Sequence, residues 1–364
     1  MPNERFWSDM RVFVTGHTGF KGSWLCLFLS TLGAKVTGYS LVPPTNPNMF
    51  TLCGIDQMVT NIQADIRDRE RLRESLEKAD PDIVIHMAAQ PLVRESYQSP
   101  AETYEMNALG TVYLLEAVRS LSTKGKRIRS VIIVTTDKCY ENKEWPWGYR
   151  ENDPLGGYDP YSSSKACAEL IASSYRHSFF HPDAYSKHGV GLATARAGNV
   201  IGGGDWAKDR LFPDCIRALL QGQTIKIRSP KSIRPWQHVL EPIGGYLLLA
   251  RKLHENGPLY SEGWNFGPNP DDVKTVEWIV ETLCRKWGGQ AAYEVVQGIQ
   301  PHEACYLQLD CSKARWSLGW QPKWDISQAI EKIVEWTHAY RERKDVKSIS
   351  IKQVEEYLDS KRGS

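Results

Sequence analysis

The chain has no apolar run long enough to span a bilayer, no Cys-x-x-Cys pair, no His/Cys cluster with zinc-finger spacing, and no excess of one charge. Each absence removes a class of function. Without some 18 or more consecutive apolar residues there is no transmembrane helix to expect. Lys+Arg number 45 against Asp+Glu 43, a formal +2, and the basic residues are scattered. Neither a nucleic-acid stripe nor a membrane-binding polybasic patch is therefore expected. Eight cysteines, at 26, 53, 139, 167, 215, 284, 305 and 311, read as buried thiols rather than a disulfide framework or a metal site, and no metal is expected. The N-terminus reaches its first strand within about a dozen residues, so no secretory leader is expected and reducing cytoplasm is the expected compartment. No internal repeat or low-complexity tract interrupts the chain.

What is present is ample apolar material: 364 residues, 41% hydrophobic, enough for a main core and a smaller lobe. Thirteen tryptophans read mainly as core. Arg11 to Val14 reads as a short buried strand, the run Thr15-Gly16-His17-Thr18-Gly19-Phe20-Lys21-Gly22 follows at once, and Ser23 to Leu32 continues as an apolar helix. Further strands are expected at Lys35 to Leu41, Asp82 to His86, Ser130 to Val134 and Val190 to Ala197, separated by helix-like stretches such as Arg67 to Ala79 and Ala108 to Ser120. This alternation predicts an α/β fold, a Rossmann-type doubly wound parallel sheet with a smaller mixed α/β C-terminal substrate lobe. The expected domains are residues 1–198 for the dinucleotide, with a return segment near 239–253, then 199–345 as the substrate lobe. The Lys/Arg/Glu-rich end after Tyr340 reads as a solvated helix followed by a frayed tail, with 346–364 set apart as a charged tail.

Gly16, Gly19 and Gly22 place backbone amides where a pyrophosphate needs them, with the positive end of a helix behind. The carboxylate that usually grips the adenosine ribose about 20 residues on is replaced by Ser40 at the end of the second strand. That substitution predicts weaker cofactor binding and leaves Asp65 as the carboxylate nearest the adenine. Tyr161 and Lys165 stand one helical turn apart, so a phenol and an ammonium reach the same substrate oxygen. For the phenol to act as a base near pH 7 its pKa must fall by about three units, roughly 4 kcal/mol, which Lys165 and an oxidised nicotinamide are expected to supply. Tyr340 and Lys344 repeat the spacing without any cofactor motif.

With these motifs together the chain resembles the extended short-chain dehydrogenases/reductases that act on nucleotide sugars, over nearly its whole length. Asp65-Ile66, His86-Met87-Ala88-Ala89-Gln90, Asn107-Ala108-Leu109-Gly110-Thr111 and Arg196-Ala197-Gly198-Asn199-Val200 match the family pattern. The resemblance implies NAD as cofactor, held by Gly16, His17, Thr18, Gly19, Phe20, Lys21, Gly22, Ser40, Asp65, Ile66, Ala88, Ala89, Gln90, Asn107, Thr135, Tyr161 and Lys165. The segment Thr135-Thr136-Asp137-Lys138 resembles the 4,6-dehydratases, whose usual Thr-Asp-Glu becomes Thr-Asp-Lys here. An aspartate-lysine pair at this place resembles the branch acting on CDP-glucose. Gln90, Asn199, Arg210, Leu211, Ile227, Arg228 and Arg234 match positions that meet the nucleotide sugar, Arg234 its pyrophosphate; His302 is expected to meet it too, from a segment, Pro301 to Tyr306, that departs from the usual dehydratase pattern with its arginine.

On this reading Tyr161 takes the C4 hydroxyl proton as hydride leaves C4, Lys138, held neutral, removes the C5 proton, and a protonated Asp137 protonates the departing C6 hydroxyl. Thr136 bonds the C4 oxygen, and Lys165 binds the nicotinamide ribose. Two other classes stay open: a C4 epimerase or reductase of the same fold, and a dinucleotide-sensing protein without turnover. By analogy the chain is expected to form a homodimer or homotetramer through the helices beginning near Ala108 and Tyr161.

Overall fold

The computed structural model describes residues 4–125, 127–296 and 306–360. Seven strands build one sheet: β1 (Arg11–Thr15), β2 (Lys35–Ser40), β3 (Thr60–Gln63), β4 (Ile83–His86), β5 (Ser130–Val134), β6 (Gly191–Ala197) and β7 (Gly263–Phe266). Their order is β7-β6-β5-β4-β1-β2-β3, every neighbour parallel. The chain runs from β1 out to β3, then crosses back to β4 on the other side of β1. The connections after β1 and β4 therefore diverge, and that divergence leaves a crevice at the carboxyl ends of the central strands.

The longer helices are α1 (Phe20–Thr31), α2 (Arg69–Ala79), α3 (Gly110–Ser122), α4 (Pro160–Ser178), α5 (Leu211–Leu220), α6 (Leu240–Glu255), α7 (Val276–Trp287), α8 (Ile326–Arg341) and α9 (Val346–Asp359). Alternate residues of the central strands feed two cores, one on each face of the sheet. Val12, Val14, Ile83 and Ile85 face Trp24, Leu27 and Leu247 on one side. Phe13, Val84 and Val131 face Leu72, Leu76, Leu114 and Val118 on the other. A strand covered on both sides needs a continuous apolar sequence, which is why β4 and β5 read as unbroken runs. Helix α1 is buried from Gly22 to Leu29, so the loop before it is fixed by the core behind it.

After β6 the sheet grammar ends. Short pairs join 200–201 to 237–238, 225–227 to 293–295 and, antiparallel, 233–234 to 274–275. Strands β3 and β7 go beyond the strands expected by residue: β3 is an edge strand with mostly exposed side chains, and β7 is only four residues long. The tail expected at 346–364 is corrected over 346–359. Its Val346, Val354 and Tyr357 are buried in the main core, and α9 packs on α1 and α8. The charges that suggested fraying lie on the outer face of an amphipathic helix.

Candidate active site

The glycine loop is built by contact rather than by flexibility alone. Gly16 has φ +75°, and a Cβ there would stand 2.7 Å from the Ala88 amide nitrogen; a Cβ on Gly22 would stand 2.2 Å from the Gly16 carbonyl oxygen. The His17 ring turns inward beneath Gly38 and bonds Asn61 Oδ1 through Nε2 at 2.8 Å, and burial lowers its pKa. Thr18 Oγ1 bonds Ser40 Oγ and donates to the Leu41 carbonyl, both at 2.9 Å. Ser40 thus ties the loop to the strand end. Asp65 is clamped by the Arg67 guanidinium at 2.7 Å and by the Arg67 amide at 2.9 Å, and the Arg67 side chain holds its pKa down.

No side chain caps α1 and its first turn holds no acid, so its amides and dipole suit an anion. With backbone pressed close at Gly16 and Gly22, these residues fit the pyrophosphate of a dinucleotide. Lys21 points the other way, across the strand ends, its Nζ 5.9 Å from the Tyr246 ring centre. Burial first, then the charges of Lys165 and Arg210, bring its pKa down to about 7. Sequence reasoning placed Lys21 only in the loop and missed this reach.

Helix α4 starts where it does because Asp159 caps it, accepting from the Ser162 amide at 2.9 Å, with Pro160 at its first position. That start sets Tyr161 and Lys165 on the face toward the end of β5. The Lys165 ammonium donates to the Val134 carbonyl at 3.2 Å; burial brings its pKa down to about 8, opposed by Glu169. The Tyr161 phenol is pushed up to about 12, the reverse of the depression expected. Burial dominates there, while Thr136 and Arg210 pull the other way and Lys165 is not among its depressing neighbours. Tyr340, the second tyrosine of this spacing, instead stacks on Trp336.

After β5, Thr136 caps a short turn, Asp137 to Cys139. Its hydroxyl donates to Asp137 Oδ1 at 2.9 Å. Lys138 Nζ lies 3.5 Å from the same oxygen and donates to Asn199 Oδ1 at 3.2 Å, joining the turn to the start of the second lobe. Asp137 is 1% exposed, yet its Oδ2 has no hydrogen-bond partner among the described residues; the buried Tyr246 hydroxyl has none either. Gly198 makes room for this oxygen, since a Cβ there would lie 3.0 Å from it. A buried carboxylate oxygen without a partner is costly in a folded protein and points to a ligand.

Beneath the turn lies a network of which only Thr135 was in the expected site, its hydroxyl here directed at Glu169. Glu169 accepts from Thr135 Oγ1 at 2.5 Å, Thr194 Oγ1 at 2.6 Å and Arg196 Nη2 at 2.7 Å. Arg196 also donates to the Tyr140 hydroxyl at 2.6 Å. Three elements, β5, α4 and β6, are locked at the site floor. Glu169 follows Lys165 by four residues, a spacing that puts both on one helix face, and that was the signal available.

Several expected contacts are placed differently. The Gln90 side chain is spent on protein, donating to Thr103 at 3.0 Å and accepting from the Leu92 amide at 2.5 Å. Asn107 accepts from the Gln90 amide and donates to the Gln90 carbonyl and Ser164. Both brace the turn carrying Ala88 and Ala89 instead of offering free side chains to a ligand. Ile66 is buried against Gly110. Ile227 is core, and its carbonyl accepts from the Val296 amide at 2.8 Å. Arg228 is exposed, and Leu211 is half-buried at the start of α5. Arg210 pairs with Asp205 at 3.4 Å, and Arg234 donates to the Ile233 carbonyl. His302 lies outside the described residues.

Residues 13–333 match the model of the GDP-mannose 4,6 dehydratase family. The chain belongs to this family. Among its relatives in the family, the CDP-glucose 4,6-dehydratase of Salmonella typhimurium is 52% identical over 360 residues, 99% of each chain. The dTDP-glucose 4,6-dehydratase of Streptomyces antibioticus is 29% identical over 90% of this chain and 92% of that one. The fold is also that of Bacillus anthracis dTDP-glucose 4,6-dehydratase in complex with NAD (TM-score 0.75, 24% identity, 92% and 98% of the chains). Thermotoga maritima UDP-glucose 4-epimerase is as close in shape (TM-score 0.75, 20% identity, 91% and 99%). Shape alone therefore does not separate the dehydratases from epimerases.

Proposed function

We propose that the protein is an NAD-dependent hydro-lyase converting CDP-glucose to CDP-4-keto-6-deoxyglucose. The observation that carries this reading is the Asp137–Lys138 pair, seated on one turn beside Tyr161 with a buried carboxylate oxygen left for a ligand. The near full-length likeness to a CDP-glucose 4,6-dehydratase supports the choice of nucleotide. When bound, NAD supplies a hydride acceptor at C4 and a donor at C6.

The protein's own residues divide the remaining work. Loop amides from Gly16 to Gly22 hold the dinucleotide, and Lys165 holds its nicotinamide ribose. Arg234 and Arg210 take the substrate pyrophosphate. Tyr161 accepts the C4 hydroxyl proton, with Thr136 bonded to the C4 oxygen. The C4 ketone then acidifies C5, whose proton passes to Lys138 while Asp137 protonates the departing C6 hydroxyl. Lys138 returns its proton to C5 at the end.

The seven cysteines of the described residues are free thiols, which suits the cytoplasm, and the product class suits supply of deoxyhexose to lipopolysaccharide O-antigen. Exposed Tyr97, Leu109 and Leu170, on or beside α3 and α4, suit a homodimer or a homotetramer built from it.

A panel of CDP-, dTDP-, UDP- and GDP-glucose with added NAD tests the reading. The 4-keto product, detected by its absorbance in base, is expected with CDP-glucose first. Absence of product from all four, or a product that keeps its C6 hydroxyl, overturns it.

A further inference from the structure

In the proposed dehydration Lys138 takes the C5 proton, so its nitrogen must be held at C5 while it carries no charge. Its side chain is 31% exposed, and packing alone does not fix a flexible four-carbon stem. Nζ lies 3.5 Å from Asp137 Oδ1, an attraction that acts on the ammonium and fades once the lysine is neutral. The shorter contact is to a neutral group: Nζ donates to Asn199 Oδ1 at 3.2 Å.

The backbone that presents this oxygen is itself pinned. The Asn199 carbonyl accepts from the Gln237 amide at 3.1 Å, and the paired segments 200–201 and 237–238 continue the tie. A Cβ on Gly198 would stand 2.9 Å from Pro235 and 3.0 Å from Asp137 Oδ2. The chain therefore passes directly against the acid of the pair, and the next side chain takes the base. An ammonium only donates, so the carboxamide must turn its oxygen to Lys138. That arrangement suits both charge states: ammonium and amine each keep an N–H for a carbonyl oxygen, and the lone pair of the amine stays free for the C5 hydrogen. A carboxylate at position 199 would instead favour the ammonium.

We propose that Asn199 is the positioning residue for Lys138, holding Nζ at C5 as the lysine loses its charge and so serving water elimination but not C4 oxidation. The role rests on the dehydration proposed above. In that step the C5–H bond breaks and an N–H bond forms on Lys138. The electron pair left at C5 makes the C5–C6 double bond as the C6–O bond breaks, and Asp137 gives its proton to the leaving hydroxyl. Asn199 exchanges no proton.

Single-turnover kinetics of Asn199→Asp and Asn199→Ala, with NAD saturating and enzyme in excess over CDP-glucose, test this. The absorbance of reduced cofactor rises with C4 oxidation and falls as hydride returns to C6. In the aspartate variant the rise should stay within about threefold of the parent while the fall slows at least ~100-fold, the low end of what a positioned proton-transfer group contributes. Reduced cofactor and a 4-keto sugar that keeps its C6 hydroxyl should then accumulate, and deuterium at C5 should slow the fall further. The alanine variant loses the anchor without adding a charge, and its fall should slow at least ~10-fold, as misplacing a reacting group does. If either variant slows both phases equally, or raises KM for CDP-glucose with the ratio of the phases unchanged, Asn199 serves nucleotide binding alone and the proposal is wrong. Should the aspartate variant fail to fold, the alanine variant decides by the same ratio. Absence of a 4-keto-6-deoxy product from the unaltered enzyme would instead refute the dehydratase reading itself.

Discussion

Replacing Arg196 by methionine should unseat the floor of the site without touching a ligand. The Arg196 and Glu169 side chains are 5% and 3% exposed and 2.7 Å apart. Removing one partner of a buried pair leaves an uncompensated charge and costs about 3–5 kcal/mol. At about 2–4 °C per kcal/mol for a chain of this order of size, melting should fall by roughly 6–20 °C. Glu169→Leu combined with Arg196→Met removes both charges, so the double variant should lose less than the two singles together, by about 1–3 kcal/mol. The pH dependence should change sign as well. In the parent, burial raises the Glu169 pKa but Arg196 and the threonines bring it net below its ordinary value. Its contribution is therefore present above the unfolded pKa near 4.3 and lost as pH falls through the folded one. Without Arg196, burial alone acts, the folded pKa rises, and the variant should be more stable at pH 5 than at pH 8. Urea denaturation of the four proteins at both values measures this. A cost below about 1 kcal/mol, additive singles, or an unchanged pH trend would refute the reasoning.

Gly22→Ala forces a Cβ to within 2.2 Å of the Gly16 carbonyl, so the loop must shift: calorimetry should show NAD affinity at least ~10-fold weaker, about 1.4 kcal/mol, together with a lower melting temperature, and unchanged affinity would contradict the cradle. Lys165→Met should abolish turnover yet raise stability at pH 7: burial sets the lysine at about 8, below its unfolded value, so its deficit is fully present below pH 8 and relieved as pH rises toward about 10; a lower melting temperature at pH 7 contradicts this. Tyr161→Phe should lower kcat about 100- to 10,000-fold with NAD affinity within about twofold, and a large affinity loss would move Tyr161 from proton transfer to binding.

The centre of the fold was legible because its physics is local. Strands covered on both faces must be apolar along their buried middles, and Val12 to Val14, Ile83 to Ile85 and Val131 to Val134 are. Strand β3, Thr60-Asn61-Ile62-Gln63, lies at the sheet edge with little to bury, so it carries no pattern. Helix α9 did carry one, with buried Val346, Ser350, Val354 and Tyr357 at helical spacing, but its charges obscured it. In the site, the turn after β5 and the start of α4 follow from strand end and cap. The direction of the Tyr161 shift did not, because it depends on how deeply the phenol is buried and on Arg210, a residue distant in sequence. Gln90 and Asn107 likewise bind each other's backbone groups, a pairing that spacing cannot reveal.

The central claim is that one sugar is oxidised, dehydrated and reduced at this site without leaving it. CDP-glucose carrying deuterium at C4, incubated with enzyme and NAD and followed by NMR, tests that directly. The deuterium should reappear in the C6 methyl group of a 4-keto product. Recovery of deuterium at C4 with the C6 hydroxyl intact would contradict the account.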